Sequence, residues 1–186
     1  MASNTIGVDG VITRDARSRY RTAQREENGA HGAYEGELRR GGGSPRSDVT
    51  VSRGTAPADV AELLGEQGEV VIRARRMYNG DKLVQLADTF IPVDVAQAAG
   101  IEQVDTGVGG IISRMREAGF DQGQEATEDV QLRPSTAAEA EAFGLQPGEP
   151  VLSITHIGTT GEGRVVEVTR HTLSPGWKLR YSVPLV

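Results

Sequence analysis

The sequence predicts an α+β domain in which helices pack against an antiparallel β-sheet. A β-hairpin is indicated by the turn Asn79-Gly80, which separates two strand-like segments, 69–78 and 83–91. Strands that follow one another through short turns form antiparallel sheets, and separate helix signals then place helices on one face or end of the sheet. Three further strand segments are predicted near the C-terminus: 150–157, 164–173 and 178–183, with turns at Thr160-Gly161 and Pro175-Gly176.

The predicted helices are recognised by the residues at their ends. Thr136 and Glu139 have the spacing of a capping box, and Gly144 is placed to end that helix. The same signals, together with alternation of apolar and polar residues, predict the remaining elements: a strand at Val49 and Val51, helices from Thr55 to Gly65, from Pro92 to Gly100 and from Ile111 to Ala118, and a strand from Gln124 to Leu132.

The chain divides in composition near residue 48. Residues 1–47 are rich in Gly, Arg, Glu and Ser and contain the run Gly41-Gly42-Gly43-Ser44-Pro45. Such a composition buries too little apolar surface to offset the loss of chain entropy. We therefore expect residues 1–47 to form a flexible arm or linker, with a short ordered piece at Val11–Tyr20, and residues 48–186 to form the folded domain.

Composition narrows the possible functions. The 186 residues carry a formal net charge of −6, whereas a domain that binds DNA by itself is usually basic. There are no cysteines, which excludes disulfides and thiolate metal sites. No apolar run approaches the roughly 20 residues that a membrane-spanning helix needs, and the first residues lack the order of a signal peptide. We expect a cytoplasmic protein that does not contact DNA on its own.

Two arginines are predicted to share one face of the first hairpin strand. The two-residue period of a strand places Arg73 and Arg75 on the same face as Val71 and Met77. Paired guanidinium groups suit a phosphate or a carboxylate, which each can bind through two parallel hydrogen bonds. The alternative is an outer sheet face with ordinary surface arginines.

Asp88 lies on the predicted return strand of this hairpin. A turn with an even number of residues would place Asp88 on the face of Arg73 and Arg75, and an odd number would turn it away. On the arginine face, Asp88 would either accept a hydrogen bond from a ligand or neutralise Arg73.

Two further features are candidates for ligand binding. The turn that contains Gly109 and Gly110 leads into a helix, and such a turn can offer free backbone N–H groups to an anion; most turns of this kind are only turns. Glu167 lies between Val166 and Val168 in a predicted strand, where a carboxylate either faces water or is buried for a purpose.

The sequence offers no sign of catalysis or of a cofactor. The three histidines, His31, His156 and His171, do not have the spacing of metal ligands. Nucleophile, phosphate-loop and dinucleotide motifs are also missing. We therefore expect no metal site, no cofactor and no catalytic residues.

Several segments together resemble the UTRA domain, the effector-binding half of the HutC subfamily of GntR-type transcription regulators. The resemblance covers about residues 49–186, and its segments occur in the order found in the family. They are Val70–Pro92, with Arg73-x-Arg75, then Gly109–Met115, Arg133–Glu141, Leu145–Leu152 and Gly163–Val168. Leu83 departs from the family pattern, in which proline is frequent at that position.

The resemblance implies a fold like that of chorismate lyase, a homodimer, and a small-molecule effector bound over the sheet; the arginine pair favours an anionic effector. It implies effector contacts at Arg73, Arg75, Gly109, Gly110 and Glu167. It also implies a repressor that contacts operator DNA through a winged-helix domain absent from this chain, since residues 11–20 resemble the stretch that follows that domain. The alternatives are an enzyme of the chorismate lyase type, which would need a positioned acid or base, and a dimerisation module.

Overall fold

The computed structural model describes residues 11–65, 68–123, 126–181 and 183. It contains eight strands and six α-helices within these residues. The strands are β1 (Ile12–Asp15), β2 (Pro45–Thr55), β3 (Glu69–Asn79), β4 (Lys82–Pro92), β5 (Thr127–Pro134), β6 (Pro150–Thr159), β7 (Val165–Leu173) and β8 (Trp177–Arg180). The helices are α1 (Thr22–Arg25), α2 (Ala33–Arg40), α3 (Ala58–Leu64), α4 (Val93–Ala98), α5 (Gly110–Glu117) and α6 (Ala137–Phe143).

Six strands form one antiparallel sheet in the order β2-β3-β4-β7-β6-β5. This confirms the predicted α+β class. The capping box of α6 is present, with the Thr136 side chain accepting from the Glu139 N–H and the Glu139 side chain accepting from the Thr136 N–H. Gly144 follows the helix with a φ of 69°, a backbone conformation that glycine adopts without strain.

Helices cover both faces of the sheet. The face that carries Arg73 and Arg75, called here the front face, packs against α2, α4 and α5 through two apolar clusters. One cluster includes Leu38 of α2 with Leu173 of β7, and the other includes Met115 of α5 with Ile91 of β4. The back face packs against α3 through Val60, Phe90 and their neighbours, and against α6 through polar contacts to Glu139.

The N-terminal segment corrects one expectation. Residues 1–47 were expected to form a flexible arm with a short ordered piece at Val11–Tyr20, but residues 11–44 fold onto the front face, where Leu38 is fully buried and Tyr34 is 4% exposed, and residues 45–47 belong to β2. Buried polar contacts accompany this apolar packing: Arg14 pairs with Glu128 of β5, and Arg19 pairs with Glu37. The part of the predicted arm that comprises residues 1–10 lies outside the described residues.

The last strand also differs from its prediction. Residues 178–183 were expected to form a hairpin with β7, but β8 ends at Arg180 and pairs in parallel with β1, with Ile12 opposite Trp177. Ser174 and the Trp177 indole both donate hydrogen bonds to the Val84 carbonyl, at 3.0 and 2.9 Å, and so turn the chain away from the sheet. Within the described residues, no helix is long and apolar enough to cross a membrane.

Candidate functional site

A cavity of about 330 Å³ opens on the front face beside the arginine strand. It is called here the outer cavity. Its floor is formed by β2 and β3, and its other walls are formed by residues 31–35 and by the loop that precedes α5. The residues that determine its chemistry are Arg46, Val49, Arg73, Arg75, Met77 and Thr106. The predicted face of β3 is confirmed, because Arg73, Arg75 and Met77 all line this cavity.

Arg73 binds the loop that forms the rim of the outer cavity. Its side chain is 3% exposed and donates to the carbonyl oxygens of Ile101, Gln103 and Val104, at 2.8, 2.5 and 2.9 Å. Burial and the neighbouring charge of Arg75 lower the pKa of Arg73 to about 10. The guanidinium group is therefore still charged at neutral pH, but its terminal nitrogens are engaged by the loop that follows α4.

Arg75 is less fully engaged than Arg73. It is half-buried and donates to the Thr89 hydroxyl of β4, while its Nε is buried and has no partner among the described residues. Burial lowers the pKa of Arg75, and the carboxylate of Glu167 opposes this effect. No carboxylate of the described residues lies within ion-pair distance of Arg75. A group that can accept a hydrogen bond and carries negative charge would complement it.

Glu167 is tied to Arg75 through hydroxyl groups. The Thr89 and Thr169 hydroxyls are 2.7 Å apart, and Thr169 donates to Glu167 Oε1 at 2.6 Å. Gln122 donates to the other carboxylate oxygen at 2.6 Å, and Glu167 is 3% exposed. Glu167 is therefore buried on the front face, which was one of the two alternatives expected for this residue. The chain of hydroxyl groups links it to Arg75 across three strands.

Asp88 does not lie on the arginine face. The turn Gly80-Asp81 has two residues, but Met77 pairs with Gln85 whereas Tyr78 pairs with Leu83, so Val84 is an extra residue in β4. This bulge shifts the register by one and places Asp88 opposite Ala74, on the back face. The prediction of Asp88 as a ligand for an effector beside Arg73 and Arg75 is therefore wrong.

The backbone N–H groups of the two glycines before α5 are already engaged. The Gly109 N–H donates to the Ala30 carbonyl at 2.8 Å, and the Gly110 N–H donates to the Gly107 carbonyl at 3.1 Å. The prediction that these N–H groups are free for an anion is wrong. Both residues have positive φ, and a side chain on Gly110 would approach the His31 carbonyl to 2.8 Å. Glycine is needed here because the N-terminal segment packs against the turn.

The N-terminal segment supplies site residues that the sequence did not reveal. Arg25 is 3% exposed and donates to the Gly109 carbonyl at 3.0 Å and to the Ser113 hydroxyl at 2.5 Å. Ser113 in turn donates to Glu26 at 2.7 Å. These contacts hold residues 31–35 as a wall of the outer cavity. A low-hydropathy segment without periodicity carries no signal for such packing.

The mouth of the outer cavity carries charges of both signs. His31 of the N-terminal segment lies 3.2 Å from Asp105 of the opposite loop, and both side chains are exposed. Arg46 stacks on the Tyr78 ring at 3.8 Å and pairs with Asp48. The described residues contain no cluster of His, Asp and Glu that could hold a metal ion. Among the cavity's charged groups, only Arg75 combines partial burial with a free hydrogen-bond donor.

Comparisons with known proteins agree with this architecture. The family model described as "UTRA domain" matches residues 41–175. A solved protein assigned to the GntR family of transcriptional regulators superimposes with a TM-score of 0.73 at 22% identity, covering 94% of this chain and 71% of its own. The ligand-binding domain of another protein assigned to that family, from Bordetella bronchiseptica, has a TM-score of 0.64 at 22% identity. The superposition covers 76% of this chain and 92% of that domain.

A third solved structure has a similar fold. The effector domain of PhnF from Mycobacterium smegmatis gives a TM-score of 0.68 at 16% identity, covering 83% of this chain and 96% of that domain. No match was found among curated protein sequences. Because the family model spans well over half of the chain, this protein belongs to the UTRA domain family.

Proposed function

We propose that this chain senses a small anionic metabolite in the outer cavity and that Arg75 binds the anionic group. The observation that carries the proposal is that the Arg75 Nε is buried and has no hydrogen-bond partner in the described part of the chain. In addition, no carboxylate of the described residues lies within 4.0 Å of the Arg75 guanidinium group. An acceptor bound at this position would satisfy the donor, and the partly desolvated setting would strengthen the charge interaction.

Arg73 and Glu167 support Arg75 in this proposal. The charge of Arg73 adds to the positive potential of the outer cavity while its hydrogen bonds fix the loop at the rim. Glu167 holds Thr169 and, through it, Thr89, and so fixes the hydroxyl that orients the Arg75 guanidinium group. We propose this positioning role for Glu167, because its carboxylate oxygens already accept hydrogen bonds from Gln122 and Thr169.

We further propose that the protein is the sensor of a HutC-type repressor in the cytoplasm. It would form a homodimer, and a winged-helix domain would contact the operator, because dimers of such heads read paired half-sites. The net charge of −6 supports a division of labour in which this domain does not itself bind DNA. Effector binding would change the position of the N-terminal segment, which is a wall of the cavity.

A screen of anionic metabolites by thermal unfolding tests the proposed function. A ligand that binds only the folded protein raises its stability in proportion to the logarithm of ligand concentration over Kd. Inorganic phosphate, phosphate esters and dicarboxylates should be compared with neutral analogues of the same size. The proposal expects at least one anion, and no neutral analogue, to raise the unfolding temperature; stabilisation by neutral compounds alone would contradict it.

A further inference from the structure

A second, smaller cavity lies behind the outer cavity. This inner cavity has a volume of about 70 Å³ and lies between the N-terminal segment, the start of α5 and the front face of β3, β4 and β7. Arg75, Tyr34 and Met77 line both cavities, so the two spaces are neighbours around the same side chains. A water molecule takes about 30 Å³ in the liquid, so the inner cavity has room for a small polar group.

Four residues that line the inner cavity have buried polar atoms without a partner among the described residues. These atoms are the Tyr34 hydroxyl, the Gln85 Oε1, the Arg75 Nε and the Nε of Arg19, whose Nη1 pairs with Glu37. Tyr34 is 4% exposed and Gln85 is fully buried. The other end of Gln85 is engaged, since its Nε2 lies 2.9 Å from Met77 Sδ and 3.2 Å from His171 Nδ1. Buried polar atoms of this kind are normally satisfied, and none of the described residues satisfies these, so a group bound in the inner cavity would complete them.

The Tyr34 hydroxyl and the Gln85 oxygen define the chemistry of that partner. Burial raises the pKa of Tyr34, so its hydroxyl stays neutral and can both donate and accept. The Gln85 oxygen only accepts, and the Arg75 Nε only donates. A neutral group that both donates and accepts, such as an alcohol hydroxyl, matches the Gln85 oxygen and the Tyr34 hydroxyl, while the Arg75 Nε is left to the anionic group of the proposed function. A second carboxylate would instead meet Glu167, which also lines the inner cavity.

We propose that the inner cavity is a subsite for a neutral hydroxyl group of the effector and that the Tyr34 hydroxyl is one of its recognition groups. The inference rests on the proposed anion site, since Arg75 would bridge the two cavities. Tyr34 comes from α2, which lies outside residues 41–175 that match the family. The N-terminal segment would thus determine which hydroxylated anions this chain accepts.

Two phosphate esters that differ only in their hydroxyl groups test the subsite. Isothermal titration should compare glycerol 3-phosphate with propyl phosphate, with inorganic phosphate as a third ligand. We expect tighter binding of glycerol 3-phosphate by the wild type. Tyr34→Phe should lower the affinity for glycerol 3-phosphate by about 3- to 10-fold, the loss expected for one hydrogen bond, and leave propyl phosphate unchanged.

Tyr181→Phe is the matched control, because it removes a hydroxyl from a tyrosine that is 54% exposed. It should change the affinity for neither ester. Gln85→Met is a second variant that removes the amide and keeps the side-chain length, and it should reduce the preference for glycerol 3-phosphate in the same way. Thermal unfolding without ligand should show that each variant is folded.

The outcomes separate the subsite from the anion site. Equal affinity of the wild type for both esters, or an equal loss of both in Tyr34→Phe, would overturn the subsite and leave an inner cavity that holds water only. Binding of both esters that depends on Arg75 would still support the proposed function in that case. Failure of the wild type to bind either ester or inorganic phosphate would overturn the subsite for hydroxylated phosphate esters, and the proposed function would fall with it only if no other anion of the thermal screen stabilised the protein.

Discussion

Replacing Arg25 with alanine should release the N-terminal segment from α5. The Arg25 side chain is 3% exposed and donates to the Tyr20 and Gly109 carbonyls, at 2.8 and 3.0 Å, and to the Ser113 hydroxyl at 2.5 Å. Hydrogen bonds from a charged donor contribute about 1.5–3 kcal/mol each, but the alanine variant no longer buries a charge. We expect a net loss of about 2–4 kcal/mol in the free energy of unfolding, the range for breaking a buried polar network.

Urea unfolding and hydrogen exchange measure this effect. In Arg25→Ala, the urea midpoint should be lower than in wild type. The amides of α1 and α2 should exchange faster than in wild type, and the exchange of β3 and β4 should change less, because only α1 and α2 depend on the Arg25 contacts. Arg21→Ala is the matched control: Arg21 is exposed and makes no side-chain hydrogen bond among the described residues, so its loss should change stability by less than about 0.5 kcal/mol. Equal midpoints and equal exchange for the two variants would refute the docking of this segment.

Three further predictions concern pH, DNA and assembly. Contacts with Arg133 and the Thr136 N–H lower the pKa of Glu139 to about 2, so the stability that its carboxylate contributes is complete above its unfolded pKa and is lost as pH falls towards 2. The urea midpoint of Glu139→Gln should therefore lie below that of wild type at pH 7 and converge with it at low pH. Glu141→Gln, which changes an exposed residue, should have the wild-type midpoint at both pH values. In a mobility-shift assay at physiological salt, this chain alone should give no sequence-dependent complex, and a salt-resistant specific shift would contradict the proposed division of labour. Sedimentation at tens of micromolar should show a dimer, and a monomer alone would contradict the proposed assembly.

The parts of the fold that the sequence predicted are those with local signals. The capping box of Thr136 and Glu139 and the alternation in β3 depend on neighbouring residues, and both elements form as expected. The face of Arg73 and Arg75 followed from the same alternation. These features can be predicted because the period of a strand and the end of a helix are set within a few residues.

The parts that the sequence did not predict depend on distant partners. Arg14 is buried because it meets Glu128, which lies 114 residues away, and Arg25 is buried because it meets the turn before α5. A composition argument counts apolar residues and so misses a segment held by buried charges. Asp88 was misplaced for a different reason: the bulge at Val84 changes the register beyond the turn, and turn length alone does not reveal it.

Binding of the effector's anionic group by Arg75 in the outer cavity is the proposal on which the others depend. Isothermal titration of an anion found by the thermal screen into Arg75→Ala and Arg76→Ala tests it most directly, because each variant loses one positive charge and Arg76 is exposed on the back face. Loss of one partner of a buried charged contact costs about 2–5 kcal/mol, so Arg75→Ala should weaken binding by roughly 30-fold to several thousandfold, with Arg76→Ala unchanged. Equal weakening by the two substitutions would contradict the claim.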